Sequence, residues 1–160
     1  MRLGMAPAKK MTMPSGTVRS ILSNKGADIY AATPSNTVFE AIEMMNAKYV
    51  GALLVMDESK LVGIISERDY ARKVILMGRS SKDTRVEEIM SSPVIVVNPD
   101  MPLEECMRIV TEQRIRHLPV VEGDLVVGVI SIGDLVRSII TAQAETIDQL
   151  HNYIHGTYPA

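Results

Sequence analysis

The chain of 160 residues has no tryptophan, one phenylalanine and one cysteine, and its formal net charge at pH 7 is only −2. With no basic excess, one Phe and no Trp, it does not read as a nucleic-acid binder, which normally shows a cationic groove and aromatic platforms. The single cysteine, Cys106, excludes an internal disulfide and suits a reducing compartment. It falls on the apolar stripe of a helix and reads as core. No apolar run approaches the roughly 18 residues that a membrane span needs, so a soluble, cytoplasmic protein is expected. No Ser-His-Asp arrangement or Walker loop has a spacing that commits to catalysis, and the chain does not read as an enzyme. His151 and His155 stand one helical turn apart without a third ligand, so no metal site is expected.

What the chain does have is a repeat. Gly63-Ile64-Ile65-Ser66-Glu67-Arg68-Asp69 returns as Gly128-Val129-Ile130-Ser131-Ile132-Gly133-Asp134 at an offset of 65 residues. The same offset places Thr33-Pro34 on Asn98-Pro99, Glu40 on Glu105, Val50-Gly51-Ala52-Leu53 on Ile115-Arg116-His117-Leu118, and Val55 on Val120. Register kept through loops as well as apolar positions implies two copies of one supersecondary unit packed about a pseudo-twofold axis, with paired clefts.

Residues 1–16, with Pro7, Pro14 and Gly16, read as a flexible leader. The first 27 residues carry Arg2, Lys9, Lys10, Arg19 and Lys25 and no acid, but lack the amphipathic period of an organellar presequence. Thr17 opens a short helix bearing Val18, Ile21 and Leu22. A short strand near Ile29 to Ala32 precedes a helix with Val38, Ala41, Ile42 and Met45 at i, i+3, i+4 and i+7. Leu53 to Met56 and Leu61 to Ile65 form a hairpin around Asp57-Glu58-Ser59-Lys60, and a helix runs from Ser66 to about Met77. The second copy repeats the order: a short helix near Val86 to Met90, a strand Val94 to Val97, a helix opened by Pro102, a hairpin from Leu118 to Ile130, and a helix from Ser131. The lead-in to the first copy is longer, six residues between Leu22 and Ile29 against three between Met90 and Val94. The expected fold is α/β (α+β): two β-α-β-β-α repeats, residues 17–78 and 79–141, packed through their sheets, with a helical tail over 142–160 closed by Gly156.

Ser66-x-x-Asp69 and Ser131-x-x-Asp134 each stand where a strand gives way to a helix. A capping box accounts for either alone, the hydroxyl accepting from a first-turn N–H and the acid facing the positive helix end. Recurrence behind Gly-apolar-apolar points further. A helix N-terminus attracts anions, and a carboxylate beside it can accept from both hydroxyls of a ribose. Cations are distributed unequally: Arg116-His117 of the second copy stands where the first has Gly51-Ala52, and Arg68 stands where the second has Gly133. This suggests two unlike sites, one with Arg116-His117 and the other with Gly51-Ala52 and Arg68. Strand alternation requires only one of Arg116 and His117 to face a given cleft.

The G-h-h-S-x-x-D motif after a hairpin that opens with Arg116-His117-Leu118-Pro119-Val120-Val121 resembles a tandem pair of cystathionine β-synthase (CBS) domains, a Bateman module, over roughly residues 17 to 140. The resemblance implies binding of adenosine derivatives: AMP first, with ATP, NAD(H) or S-adenosylmethionine as alternatives. It implies that Asp69 and Asp134 hold ribose, and that Ser66 and Ser131, with Arg68, Arg116 or His117, lie near phosphate. Val50, Gly51 and Ala52, and Ile115, Arg116 and His117, would line the adenine slots, and Thr33 joins the ligand-binding candidates. A stand-alone sensor that signals occupancy to an unidentified partner is the expectation; a ligand-free scaffold or oligomerisation module is the alternative. Apolar residues on the longer helices (Ile42, Met44, Met45, Val74, Ile75, Met77, Val136, Ile139, Ile140) suggest a homodimer, a disc of four repeats, with the tail helix extending the contact.

Overall fold

The computed structural model describes residues 16–26 and 28–154. The leader, apart from Gly16, and His155 and Gly156 lie outside the described residues. In chain order the elements are α1 (Val18–Lys25), β1 (Ala31–Ala32), α2 (Val38–Lys48), β2 (Ala52–Asp57), β3 (Lys60–Ser66), α3 (Glu67–Tyr70, continuing as a π-helical segment Ala71–Ile75), α4 (Val86–Ile89), α5 (Leu103–Gln113), β4 (His117–Glu122), β5 (Leu125–Ser131) and α6 (Ile132–Ile154). This is a mixed α/β fold with two sheets, β1-β2-β3 and β4-β5. The hairpins match in detail: Leu53 faces Ile65 as Leu118 faces Ile130, and the register slips after Val55 and again after Val120. Their turns place Glu58 (φ 56°) and Gly123 (φ 63°) in the same left-handed conformation.

The repeats differ at one strand. β1 runs parallel to β2, with the Leu54 N–H donating to the Tyr30 carbonyl. The expected counterpart over Val94 to Val97 is only a single bridge, Val97 to Val120. Pro119 stands where the first copy has Leu54 and has no N–H to donate, so the corresponding ladder bond to Ile95 cannot form.

Each repeat has its own apolar core, and the chain crosses between them. Val86 and Ile89 of α4 bury into the first core, with Val38, Met45, Leu53, Val55, Ile65 and Val74. Val18 and Ile21 of α1 bury into the second, with Leu103, Cys106, Val110, Leu118, Ile130 and Leu135. Backbone bonds fasten the crossings: the Val18 N–H donates to the Met101 carbonyl at 3.0 Å, and the Val86 N–H to the Asn36 carbonyl at 2.8 Å. The motif glycines serve this packing. A Cβ on Gly63 would lie 2.5 Å from Met90 Sδ, and one on Gly128 would lie 2.7 Å from Leu22 Cδ2. Leu22 and Met90 thus close the two lead-in helices against bare backbone, which explains the glycine without reference to a ligand.

Val74, expected on an outward helix face, and Met45, placed both on the core stripe and among the outward residues, are core residues at 1% exposure each. The outward apolar side chains are instead Ile75, Leu76 and Met77 after the first motif, and Val136 and Ile140 after the second. α6 continues unbroken into the proposed tail as far as Ile154, carrying exposed Ile147, Leu150 and Ile154. Among the described residues no helix is long and apolar enough to cross a membrane.

Candidate functional site

Two clefts flank the junction of the repeats. One, of about 430 Å³, lies between Ser66-Glu67-Arg68-Asp69 and the second copy's Arg114-Ile115-Arg116-His117. The other, of about 410 Å³, lies between Ser131 and Asp134 and the first copy's Tyr49-Val50-Gly51-Ala52. Each joins the motif of one repeat to the strand opening of the other. Gly51, Ile64 and His117 line both, and His117 Cε1 would lie 4.0 Å from a Cβ on Gly51. Either volume is in the range of a small-molecule site.

The motif residues cap their helices in full. Ser66 Oγ accepts from the Asp69 N–H at 3.2 Å while Asp69 Oδ2 accepts from the Ser66 N–H at 2.9 Å. The same pair at Ser131 and Asp134 measures 3.2 and 2.8 Å. Each carboxylate also holds an ammonium that is bonded to a backbone carbonyl. Lys73 Nζ lies 3.1 Å from Asp69 Oδ1 and donates to the Ile89 carbonyl. Lys25 Nζ donates to Asp134 Oδ2 at 2.7 Å and to the Val129 carbonyl at 2.8 Å, and Arg137 faces Asp134 Oδ1. Burial opposes ionisation of Asp134, but the bonds from Lys25 and Ser131 outweigh it and hold the carboxyl below its ordinary range. These carboxylates are anchored acceptors, suited to a cation or a vicinal diol.

His117 is half-buried, and burial, then the charges of Lys25 and Arg116, push its pKa below the ordinary value against the pull of Asp134. It is therefore neutral at pH 7. An anion bound beside it offsets the cations and raises its pKa, so binding takes up a proton. Anion affinity should rise as the pH falls from neutrality, and calorimetry in buffers of different ionisation enthalpy should register the uptake. A His117→Ala variant with the same pH dependence would sink this.

Ser66, Arg68, Asp69, Ile115, Arg116 and His117 gather in the Asp69 cleft; Val50, Gly51, Ala52, Ser131 and Asp134 gather in the Asp134 cleft. Two expectations are corrected. Arg68 shares a cleft with Arg116 and His117, not the one with Ala52, because each cleft is made from opposite copies. Arg116 and His117 both line the Asp69 cleft, since β4 begins only at His117 and strand alternation does not reach Arg116. Thr33 lines neither cleft. It is exposed in a turn, where its N–H donates to Asn36 Oδ1.

Sequence reasoning missed Lys25, Tyr30, Tyr49, Arg72, Lys73, Arg114 and Arg137. Signals existed for some: Arg72 and Arg137 coincide at the repeat offset, and Tyr49 and Arg114 are matching helix caps in left-handed conformation, φ 55° and 53°. Lys25 reaches its cleft from the longer lead-in. The Cys106 thiol is buried and pushed up to about 11 by desolvation and then by Glu105, so it is no nucleophile near neutrality. No cluster of three or more metal-ligating side chains occurs among the described residues.

The CBS domain family matches residues 18–75 and 86–141. A mitochondrial CBS domain-containing protein of Arabidopsis thaliana is 38% identical over 153 residues, which cover 90% of this chain and 74% of that one. A solved CBS-domain protein from Burkholderia ambifaria superposes with a TM-score of 0.77 at 52% identity, covering 79% of this chain and 95% of the other. The CBS domain pair of protein MJ0100, solved with 5′-methylthioadenosine and S-adenosyl-L-methionine, is 28% identical with a TM-score of 0.67, covering 78% and 95%.

Proposed function

Since the chain belongs to the CBS domain family, we propose that it binds adenine nucleotides, AMP foremost, in its two clefts and signals their occupancy to a partner protein. The observation that carries this is the composite build of each cleft, a capped carboxylate from one repeat facing the strand opening of the other. The adenosine ligands of the MJ0100 pair support it. Asp69 and Asp134 accept from ribose hydroxyls at the carboxylate positions that Lys73 and Lys25 leave open. A ligand held by both repeats favours one angle between them, and that differential binding is the signal. The role is binding rather than catalysis, and the location cytoplasmic; cell fractionation tests the location, given the mitochondrial relative.

One observation favours the scaffold reading: both carboxylates are already satisfied by lysine and cap. A thermal-shift panel of AMP, ATP, NADH and S-adenosylmethionine separates the two. Ligand at 100 times its Kd stabilises by about 2.7 kcal/mol, raising Tm by about 5 to 10 °C; a scaffold shows no shift with any of the four.

We further propose a homodimer. Ile75 and its repeat counterpart Ile140 are 55% and 59% exposed, so a second copy on a twofold axis covers both patches at once. On α6, Val136, Ile140, Gln143, Ile147, Leu150 and Ile154 alternate at spacings of four and three, the seam of a coiled coil. Light scattering at micromolar concentration should give about 35 kDa, twice the 17.6 kDa chain. A clean monomer would remove the dimer and signalling between subunits with it.

A further inference from the structure

We infer that the two clefts divide their ligands by phosphate count: the Asp69 cleft takes a nucleoside polyphosphate, and the Asp134 cleft an adenosine derivative with at most one phosphate. This rests on reading the clefts as adenine-nucleotide sites. The two are nearly equal in volume, about 430 and 410 Å³, so size does not distinguish them. Charge does.

Arg68, Arg72, Arg114 and Arg116 all line the Asp69 cleft. None of the four side chains makes a hydrogen bond or ion pair with a described residue. They come from two elements of each copy's making: Arg68 and Arg72 from the first motif helix and its π-helical extension, Arg114 from the cap of α5, and Arg116 from the lead-in to β4. Guanidinium groups that converge unpaired on one cleft repel one another, and an anion relieves that repulsion. Their planar donor forks suit phosphate oxygens, and four forks exceed what one phosphate group can occupy.

The repeat provides an internal control. At the corresponding positions the Asp134 cleft has Gly133 for Arg68, Tyr49 for Arg114 and Gly51 for Arg116. The one arginine kept, Arg137 for Arg72, is committed to Asp134. Lys25 is committed to Asp134 and the Val129 carbonyl, and Asp28 adds a further negative charge to that lining. Its remaining distinctive groups are the rings of Tyr30 and Tyr49, which suit a nucleoside and offer nothing to a polyphosphate chain.

Isothermal titration calorimetry on the full chain, in EDTA and about 0.1 M salt, with ATP, AMP and inorganic tripolyphosphate as probes, tests the assignment. At one site ATP should bind about tenfold or more tighter than AMP, the worth of a charge-assisted bond or two, and added salt should narrow the gap. The double variant Arg114→Asn/Arg116→Gln, with asparagine chosen because it tolerates the left-handed conformation at 114, should shrink the ATP-to-AMP ratio to about threefold or less. Arg108→Gln, on the outer face of α5, should retain the native ratio. Equal native affinities for ATP and AMP, or a preference for ATP that survives the double variant, would overturn the inference while leaving the adenine reading intact. Tripolyphosphate binding that depends on the two arginines, without binding of either nucleotide, overturns the adenine reading and keeps the polyanion assignment. No binding of any probe overturns both.

Discussion

Gly128→Val is expected to lower the unfolding free energy by about 2 to 3 kcal/mol, the usual cost of overpacking a closed contact. Even a Cβ at this position would lie 2.7 Å from Leu22 Cδ2 and 3.3 Å from Cδ1. Gly128 is buried in the middle of β5, which pairs with β4 and cannot retreat. α1 must therefore give way, and Val18 and Ile21 lift from the second core with it. Leu22→Ala alone should cost less, because Leu22 is only partly buried. The double variant Gly128→Val/Leu22→Ala should recover part of the loss, since residues in contact are not additive. Urea unfolding of the four proteins completes the cycle, and strict additivity would show that the glycine is not there to seat the leucine. A functional consequence follows from the same contact: Lys25 lies one helical turn beyond Leu22, so displacing α1 also draws the ammonium away from Asp134.

Asp134→Ala is expected to weaken ligand binding in its cleft at least tenfold, because it removes charge-assisted bonds worth about 1.5 to 3 kcal/mol each. It also removes half of a capping box and the partner of Lys25. Lys25 and Arg137 are 39% and 71% exposed and water screens them, so the stability loss should be about 2 kcal/mol, most of it from the cap. The pH dependence has a definite sign. Asp134 titrates below its unfolded value, so its contribution is complete above about pH 4 and is lost as pH falls through the folded value. The variant should lack that part of the acid destabilisation. Native protein should also prefer AMP to 2′-deoxy-AMP by about tenfold or more if the carboxylate holds the ribose; equal calorimetric affinities would leave Asp134 as a helix cap alone.

The repeat, the hairpins, the helix faces and both capping boxes were legible because each depends on a period or on chemistry within a few residues. Thr37 caps α2 by accepting from the Glu40 N–H, and Val38, Ala41 and Met45 face the core, as their spacing requires. The strand expected at Val94 to Val97 does not form, and the cause lies elsewhere in the sequence: Pro119, the partner strand's residue without a donor. Reading each segment for its own propensity misses such a defect, since a strand exists only if its neighbour can bond to it.

The sequence by itself determined that there are two like units, that each ends a hairpin in a Ser-x-x-Asp cap, and that the pair belongs with the CBS domains. Only the tertiary structure decided which cations share a cleft. α1 and α4 each cross to the core of the other repeat, and each motif faces a strand opening dozens of residues away in the opposite copy. Period and capping are local properties, satisfied whichever copy lies opposite, so no pattern within one repeat tells Arg68 that its neighbours are Arg114 and Arg116. The packing of Leu22 on Gly128 and of Met90 on Gly63 accompanies that pairing, each lead-in helix closing on the bare backbone of the core it crosses to.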